Sequence, residues 1–355
     1  MIDELEFERL VEVLGSVFEG VQDARAKNKR YSLSEIGLAA FSVFYMQSPA
    51  FLEWQGNMES HKGSSHVQRL FASERIASDE QIKNVLDGYH PEMLGVVYRY
   101  VIKSLIAAGK LRQYECQGRK LIALDGTWYH HSQKVSCEQC SRIERDKGVH
   151  YQHSVVLPVL VSPQCAEVLC LEPEFILPQD GHEKQDCETA AAKRWLASKL
   201  AHYALGEVVM LGDDLYCRQP LCEQVQAAGA QFLFVCKPQS HSHLYESLAL
   251  TPLEHPTIFL EQEQLRLSYR FANRLPLRDS ADTLWLNWCD VTIVNVQGKQ
   301  LYYNSFATDI FLTSTSVLDV CSYGRSRWKV ENEGNNTLKT KGYHFEHNFG
   351  HGQRY

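Results

Sequence analysis

The chain has 355 residues, of which 44% are hydrophobic and 22% are charged, and its formal net charge is −7. This composition excludes a disordered protein, and the length predicts two or three domains with ample core. The negative net charge is a weak argument against a nucleic acid partner, because phosphate binding requires a basic surface.

Despite the negative net charge, basic residues are clustered in two places. One cluster is Arg25, Lys27, Lys29 and Arg30, and the other is the set of five cations between residues 323 and 341. Each cluster is either a binding patch or a solvated face, and the charges alone leave both readings open.

Targeting signals are not evident in the sequence. The first ten residues, MIDELEFERL, are acidic, unlike the start of a secretory signal peptide. The longest apolar stretch, residues 36–46, is too short to span a bilayer. The eleven cysteines are odd in number and scattered, so we expect mostly reduced thiols and a cytoplasmic protein.

Residues 1–115 have helical character. Ser32 with Glu35, and Ser78 with Gln81, have capping-box spacing, so each pair predicts a helix start. A further helix is predicted from Pro91 to a glycine cap at Gly109. We therefore predict an all-helical N-terminal domain.

The following residues change to an α/β pattern. Strands are predicted at 120–125, 154–161 and 167–172, then a helix at 183–203, a strand at 207–213, a helix at 217–228 and a strand at 231–237. Residues 241–306 are predicted to be a β-rich insertion with a hairpin turn at Gln297-Gly298. Residues 116–240 and 307–355 would together form a mixed-sheet α/β core that ends in a helix from about 323 to 339.

Two of the predicted strands end in an aspartate, Asp125 and Asp213. Ligands of open sheets bind beyond the carboxyl ends of the strands, so both positions suit a functional site. The alternative for each is a turn residue or a helix cap. Because the two strands are expected to be neighbours, a shared functional site and two separate turn or cap residues both remain open.

A third carboxylate is predicted on the last helix. Tyr323, Arg327 and Glu331 are spaced four residues apart and share one helix face, whereas Glu333 lies about 200° around the axis from Glu331. The run from Gly334 to Thr337 has poor helix propensity, so tertiary contacts or a bound ligand must hold it.

Three converging carboxylates would repel each other without cations. Asp125, Asp213 and Glu331 would bind two Mg²⁺ or Mn²⁺ ions, which prefer hard oxygen ligands. Such a two-metal site suits in-line phosphoryl transfer. Arg327 and Lys339 would contact the phosphates of the strand being cut.

This arrangement resembles the RNase H-like core of DDE transposases. The sequence from Tyr323 through Arg327 and Glu331 to Lys339 resembles the Tyr-Arg-Glu-Lys signature of insertion-sequence-4-like bacterial transposases. ALDGT (123–127), QDGHEKQDCE (179–188), GDDLY (212–216) and ENEGNNTLKTKGYHFEHNFGHG (331–352) also look like motifs of one transposase subgroup. The resemblance covers roughly residues 30–352.

The resemblance implies an activity, a set of site residues and a role for the helical domain of residues 1–115, which would bind the DNA ends. The expected activity is hydrolytic cleavage at transposon ends and strand transfer to target DNA, by a homodimer on paired ends in the cytoplasm at the nucleoid. Asp125, Asp213 and Glu331 would be the catalytic triad, and Arg327, Lys339, Tyr323 and Lys329 would contact DNA phosphates. The family pattern Asp-x-x-Tyr selects Asp213, with Tyr216, over Asp214.

Two alternatives remain at this point. Relatives normally continue into another apolar helical segment, so the resemblance also allows a truncated or domesticated relic that binds DNA without cleaving it. The second alternative is a nuclease of the same fold that lacks strand transfer.

A separate cysteine and histidine motif lies between the first two core strands. Cys137, Cys140, His150 and His153 have the pattern C-x2-C-x9-H-x2-H, which is a candidate structural Zn²⁺ site. The alternative is a surface loop with reduced thiols.

Two further sets of residues are assigned ordinary roles. The acidic residues around 180–188 are read as helix caps. Core packing is the default for Trp128, Trp285 and Trp288, with stacking on unpaired bases as the alternative.

Overall fold

The computed structural model describes residues 5–60, 71, 75–146, 148–178 and 187–351. Its first part is helical, as the sequence predicts. The helices are α1 (Phe7–Glu19), α2 (Leu33–Tyr45), α3 (Phe51–Glu59), α4 (Asp79–Leu86) and α5 (Gly95–Ala107). Ser32 and Glu35 form the predicted capping box, Ser78 accepts a hydrogen bond from the Gln81 amide, and Gly109 adopts a left-handed φ of 68°.

The second part alternates strands with helices. Its strands are β1 (Glu115–Cys116), β2 (Arg119–Ser132), β3 (Ser141–Arg145), β4 (Gly148–Ser162), β5 (Cys165–Cys170), β6 (Glu174–Ile176), β7 (Glu207–Gly212) and β8 (Gln231–Val235). Its helices are α6 (Glu188–Ser198), α7 (Gln219–Ala227) and α8 (Ser242–Ala249). The predicted mixed α/β class is confirmed. The part of the predicted helix at 183–186 lies outside the described residues.

The strands of the described residues form one mixed sheet. Its order is β3-β4-β2-β7-β8, continued by the four strands of the predicted insertion. β5 pairs antiparallel with β4, β4 with β2, and β7 and β8 run parallel to β2. The insertion strands are β9 (Thr257–Leu260), β10 (Leu265–Pro276), β11 (Trp285–Asn295) and β12 (Gln300–Thr308). β12 pairs antiparallel with β8, so the insertion lengthens the sheet instead of forming a second one.

The predicted first strand is much longer than its apolar run. β2 continues past Asp125 to Ser132, so Asp125 lies within a strand, not at its end. Pairing between β2 and β7 stops at Ala123 and Leu211, however, and beyond it β2 is paired with β4. Asp125 therefore lies where the parallel part of the sheet opens, which explains why the apolar pattern stops there.

The two faces of the sheet bury separate cores. Ile122 and Leu124 point into a core shared with α6, α7 and α8, whereas Leu121 and Ala123 point to the opposite face. This alternation is that of a strand covered on both sides. No helix of the described residues is long and apolar enough to cross a membrane.

The last helical segment lies on the second face and is not one regular helix. It consists of α9 (Ser316–Ser326), a π-helical turn (Val330–Asn335) and α10 (Asn336–Thr340). At Gly324 a Cβ would lie 2.5 Å from the Phe306 ring, so glycine lets α9 approach the sheet closely. π-Helical turns are often found at functional sites, and this one includes Glu331.

Candidate functional site

The three predicted carboxylates come from three separate elements. Asp125 lies within β2, Asp213 directly follows β7, and Glu331 lies in the π-helical turn. The charges of Glu331 and Asp213 both act on Asp125, as does that of Glu188. The structure thus places the three within electrostatic reach of one another, near the point where β2 and β7 separate, although their oxygens do not all lie within 4.8 Å as the ligands of a single ion would.

Asp125 has the most perturbed carboxyl group of the site. Burial, followed by the negative charge of Glu331, raises the pKa of Asp125 to about 7, while Arg327 opposes the shift. Several acids held close together in a half-buried place are costly unless a cation joins them. The donor set consists of hard carboxylate oxygens, so these residues fit Mg²⁺ or Mn²⁺.

Glu331 is the glutamate that faces this site. Arg327 Nη1 donates a hydrogen bond of 2.7 Å to Glu331 Oε1, as their four-residue spacing predicts. The Glu331 side chain is 50% exposed, which leaves it open to solvent and ligands. Glu333 is exposed too, but it is not among the charges that contribute most to the raised pKa of Asp125.

Neighbouring Asp213 and Asp214 have different surroundings. Asp213 Oδ1 accepts the Leu215 amide at 2.8 Å in the turn after β7, which fixes its carboxylate near Asp125. Asp214 Oδ1 instead accepts the Lys237 amide at 2.6 Å and lies 3.3 Å from His241 Nε2. Asp214 therefore joins the ends of β7 and β8, which is a structural role.

A fourth carboxylate, Glu188, was not predicted as a site residue. It lies in the first turn of α6, where we expected an ordinary cap, but Glu188 Oε2 accepts a 3.3 Å hydrogen bond from the buried Tyr216 hydroxyl. A Cβ on Gly126 would lie 2.2 Å from the Glu188 carboxyl carbon, so the carboxylate rests directly against β2. Burial and the charge of Asp213 raise the pKa of Glu188. The other acids of that motif, at 180, 183 and 186, lie outside the described residues.

Asn335 was also missed. Asn335 Nδ2 donates a hydrogen bond of 2.6 Å to Asp125 Oδ2, and its buried Oδ1 has no protein partner within the described residues. The segment of low helix propensity therefore makes a specific contact: the π-helical turn places the buried side-chain amide of Asn335 against Asp125. The only sequence signal for this was the unexplained Gly-Asn-Asn run.

Two of the four predicted phosphate ligands are placed elsewhere. Lys329 is buried, and its Nζ donates to the backbone carbonyls of Ser162 and Cys165 at 2.6 and 2.5 Å. Tyr323 is 5% exposed and packs in the core beneath α9. Both side chains are thus buried, each on a different side of the helical segment, and in this structure neither is exposed to a DNA phosphate.

The other two remain next to the carboxylates or at the surface. Arg327 pairs with Glu331, as described above. Lys339 Nζ forms an ion pair of 2.7 Å with Glu346 and lies 4.8 Å from the ring centre of Trp128. Trp128 is 42% exposed and Trp285 is 61% exposed, so core packing was the wrong default for both, whereas Trp288 is buried.

The structure revises the set of cysteine and histidine residues. Cys137, Cys140 and His153 come together, but His150 does not join them, because its ring stacks on His131 and its Nε2 lies 3.1 Å from Gln133. His351 takes the fourth place. Motif spacing did not identify His351 as a ligand, because it lies 211 residues from Cys140.

Comparison with known proteins adds no assignment. No model of a protein family matches the chain, and no curated protein is significantly similar to it. The functional argument therefore rests on the residues and geometry described above.

Proposed function

We propose that the chain is a metal-dependent DNA transposase with a DDE triad of Asp125, Asp213 and Glu331. The observation that carries this proposal is the convergence of these carboxylates from three separate elements around the half-buried Asp125. Such a cluster has little use as a structural ion pair, since among the main charges that act on Asp125 within the described residues Arg327 alone is positive.

The order of the core strands supports the same proposal. The order β5-β4-β2-β7-β8, with an antiparallel half and a parallel half, is the order expected of an RNase H-like core. The helices before residue 108 would form the N-terminal domain that binds transposon ends, and the four insertion strands would extend this surface.

Asp125, Asp213 and Glu331 would hold two Mg²⁺ or Mn²⁺ ions, with Glu188 beside them. When bound, these ions supply the Lewis acidity that activates a water or 3′-hydroxyl and stabilises the leaving oxygen. Asn335 would hold the Asp125 carboxylate in one orientation through its hydrogen bond. Arg327 would orient Glu331 and balance part of the negative charge.

DNA would reach the site along the exposed side of the π-helical turn. Lys339 of α10, the helix that follows this turn, lies beside Trp128 of β2, and the pair offers one cation and one aromatic face to a nucleic acid strand. A homodimer on paired ends would follow from the need to join two ends, in the cytoplasm at the nucleoid.

The test is cleavage of a labelled duplex that carries the DNA flanking the gene, with Mg²⁺ or Mn²⁺ and a target plasmid. Wild type should cleave the ends and join them to the plasmid. Asp125→Asn should lose both products, whereas Asp214→Asn should keep them, because its side-chain oxygen still accepts the Lys237 amide. Cleavage without joining would instead identify a nuclease, and binding without cleavage would identify a non-catalytic relic.

A further inference from the structure

Four metal-ligand side chains meet at one point outside the carboxylate site. Cys137 and Cys140 lie in the loop between β2 and β3, His153 lies on β4, and His351 lies in the segment after α10. The Cys140 amide donates to the Cys137 carbonyl at 3.2 Å, so the C-x2-C segment turns back and points both sulfurs the same way.

The distances among these atoms match a tetrahedral metal site. A zinc ion with Zn–S bonds of about 2.3 Å and Zn–N bonds of about 2.0 Å places sulfurs about 3.8 Å apart and sulfur about 3.5 Å from nitrogen. Here the two sulfurs are 3.9 Å apart, each lies 3.4 Å from His153 Nε2, and Cys140 Sγ lies 3.6 Å from His351 Nε2.

A disulfide does not explain this geometry. A sulfur–sulfur bond is about 2.05 Å long, and Cys137 and Cys140 are both free cysteines. Weak thiol–imidazole contacts would not require all four atoms to converge within 4.8 Å of one another, as they do here. Two thiolates and two neutral imidazoles are the ligand set of a closed structural zinc site.

We propose that Cys137, Cys140, His153 and His351 bind one structural Zn²⁺ ion, which fastens the C-terminal segment to β4 and to the loop after β2. Binding the ion would release the two thiol protons, so the ligands become two thiolates. The site does not depend on the proposed transposase activity and is predicted to fill in the absence of DNA.

The fastened segment also connects the two parts of the molecule. Phe349 packs against Phe44 and Phe51 of the N-terminal helices, with ring centres 4.7 and 5.9 Å apart. Gln47 Nε2 donates to the Lys341 carbonyl at 3.1 Å. An ion bound by His351 would therefore hold the N-terminal helices on the sheet through this segment.

Within the described part of the chain, a second group of metal-ligand side chains lacks a fourth ligand. Cys217, Cys236 and His241 are buried together, but they supply three ligands, and Asp214 already accepts the Lys237 amide. This group is useful as an internal control, because a metal bound there would survive loss of Cys140.

The experiment measures the metal content of the full chain, purified without a histidine tag, by mass spectrometry, and the ion's surroundings by X-ray absorption. We expect about one zinc per chain, with two sulfur and two nitrogen neighbours. Cys140→Ser and His351→Ala should each lower zinc affinity at least about tenfold. His150→Ala and Cys217→Ser should keep the zinc.

A wild-type protein that contains no zinc and takes up none at micromolar concentration would overturn the proposal, and this result needs no variant to fold. Zinc affinity that is unchanged in Cys140→Ser, or lost in Cys217→Ser, would place the metal in the other cluster. Chelation of the wild-type protein gives an independent check. It should raise hydrogen exchange in residues 341–351, and unchanged exchange there would contradict the role assigned to His351.

Discussion

Asn335 Nδ2 lies 2.6 Å from Asp125 Oδ2 and joins the π-helical turn to the central strand of the sheet. The two residues are 210 positions apart in the sequence. This bond orients the carboxylate with the most strongly raised pKa in the site. It also accounts for the break in the last helix, because a regular helix would carry Asn335 to a different angle.

Removing the hydrogen bond between Asn335 and Asp125 should clearly reduce the affinity for Mg²⁺ but reduce the free energy of unfolding only slightly. Asn335→Ala is expected to reduce cleavage about 10- to 100-fold and to raise the Mg²⁺ concentration needed for half-maximal rate. The loss of stability should stay near 1 kcal/mol. Asn336→Ala, at an exposed neighbour, is the control and should change neither. An unchanged Mg²⁺ dependence in Asn335→Ala would show that the bond does not serve the site.

The contact between Gly126 and Glu188 predicts a second effect. Gly126→Ala would place a methyl group on the Glu188 carboxylate, which should cost about 1–3 kcal/mol and reduce cleavage. In the double variant Gly126→Ala, Glu188→Ala the clash is absent, so its stability should return to that of Glu188→Ala. Urea unfolding of the four proteins measures this coupling.

The control for this cycle is Gly56→Ala. Gly56 lies within α3, and a Cβ there would have no neighbour within 4 Å. The substitution should therefore stabilise the protein by up to about 1 kcal/mol. Strictly additive effects of Gly126→Ala and Glu188→Ala would refute the steric explanation.

Lys329 should matter for stability, not for DNA binding. Lys329→Met keeps the apolar stem but leaves the buried carbonyls of Ser162 and Cys165 without their donor, which should cost about 2–4 kcal/mol in urea unfolding. Lys299→Met, at an exposed turn, should be neutral. Normal stability combined with weaker DNA binding in Lys329→Met would restore Lys329 as a phosphate ligand.

Lys339 is expected to behave in the opposite way. Lys339→Ala should weaken DNA binding for all sequences and reduce the slope of log affinity against log salt by about 1. Glu346→Gln removes its ion-pair partner but keeps the cation, so binding should persist or strengthen. An unchanged salt slope in Lys339→Ala would exclude a phosphate contact by Lys339.

Local patterns were enough to predict most elements of the fold. The capping box at Ser32 and the apolar run before Asp213 mark elements that the structure contains. The predicted range of β2 was too short. Beyond Asp125 the strand no longer pairs with β7 and its residues become polar, so the apolar signal ends before the strand does.

Contacts between distant residues account for what the sequence could not show. Glu188 has the same local pattern as any acidic helix cap, and only its position against Gly126 distinguishes it. His351 joins Cys140 across 211 residues, and spacing rules search far shorter distances. Lys329 looked like a phosphate ligand because the charge is visible in the sequence and the burial is not.

The choice between Glu331 and Glu333 tests the central claim most directly. Glu331→Gln and Glu333→Gln are identical changes two residues apart, and only the first removes a charge that contributes strongly to the raised pKa of Asp125. Cleavage of the flanking-end duplex in Mg²⁺ should fall by about three orders of magnitude or more in Glu331→Gln and stay within about twofold of wild type in Glu333→Gln. Equal cleavage by the two variants would contradict the proposed carboxylate site.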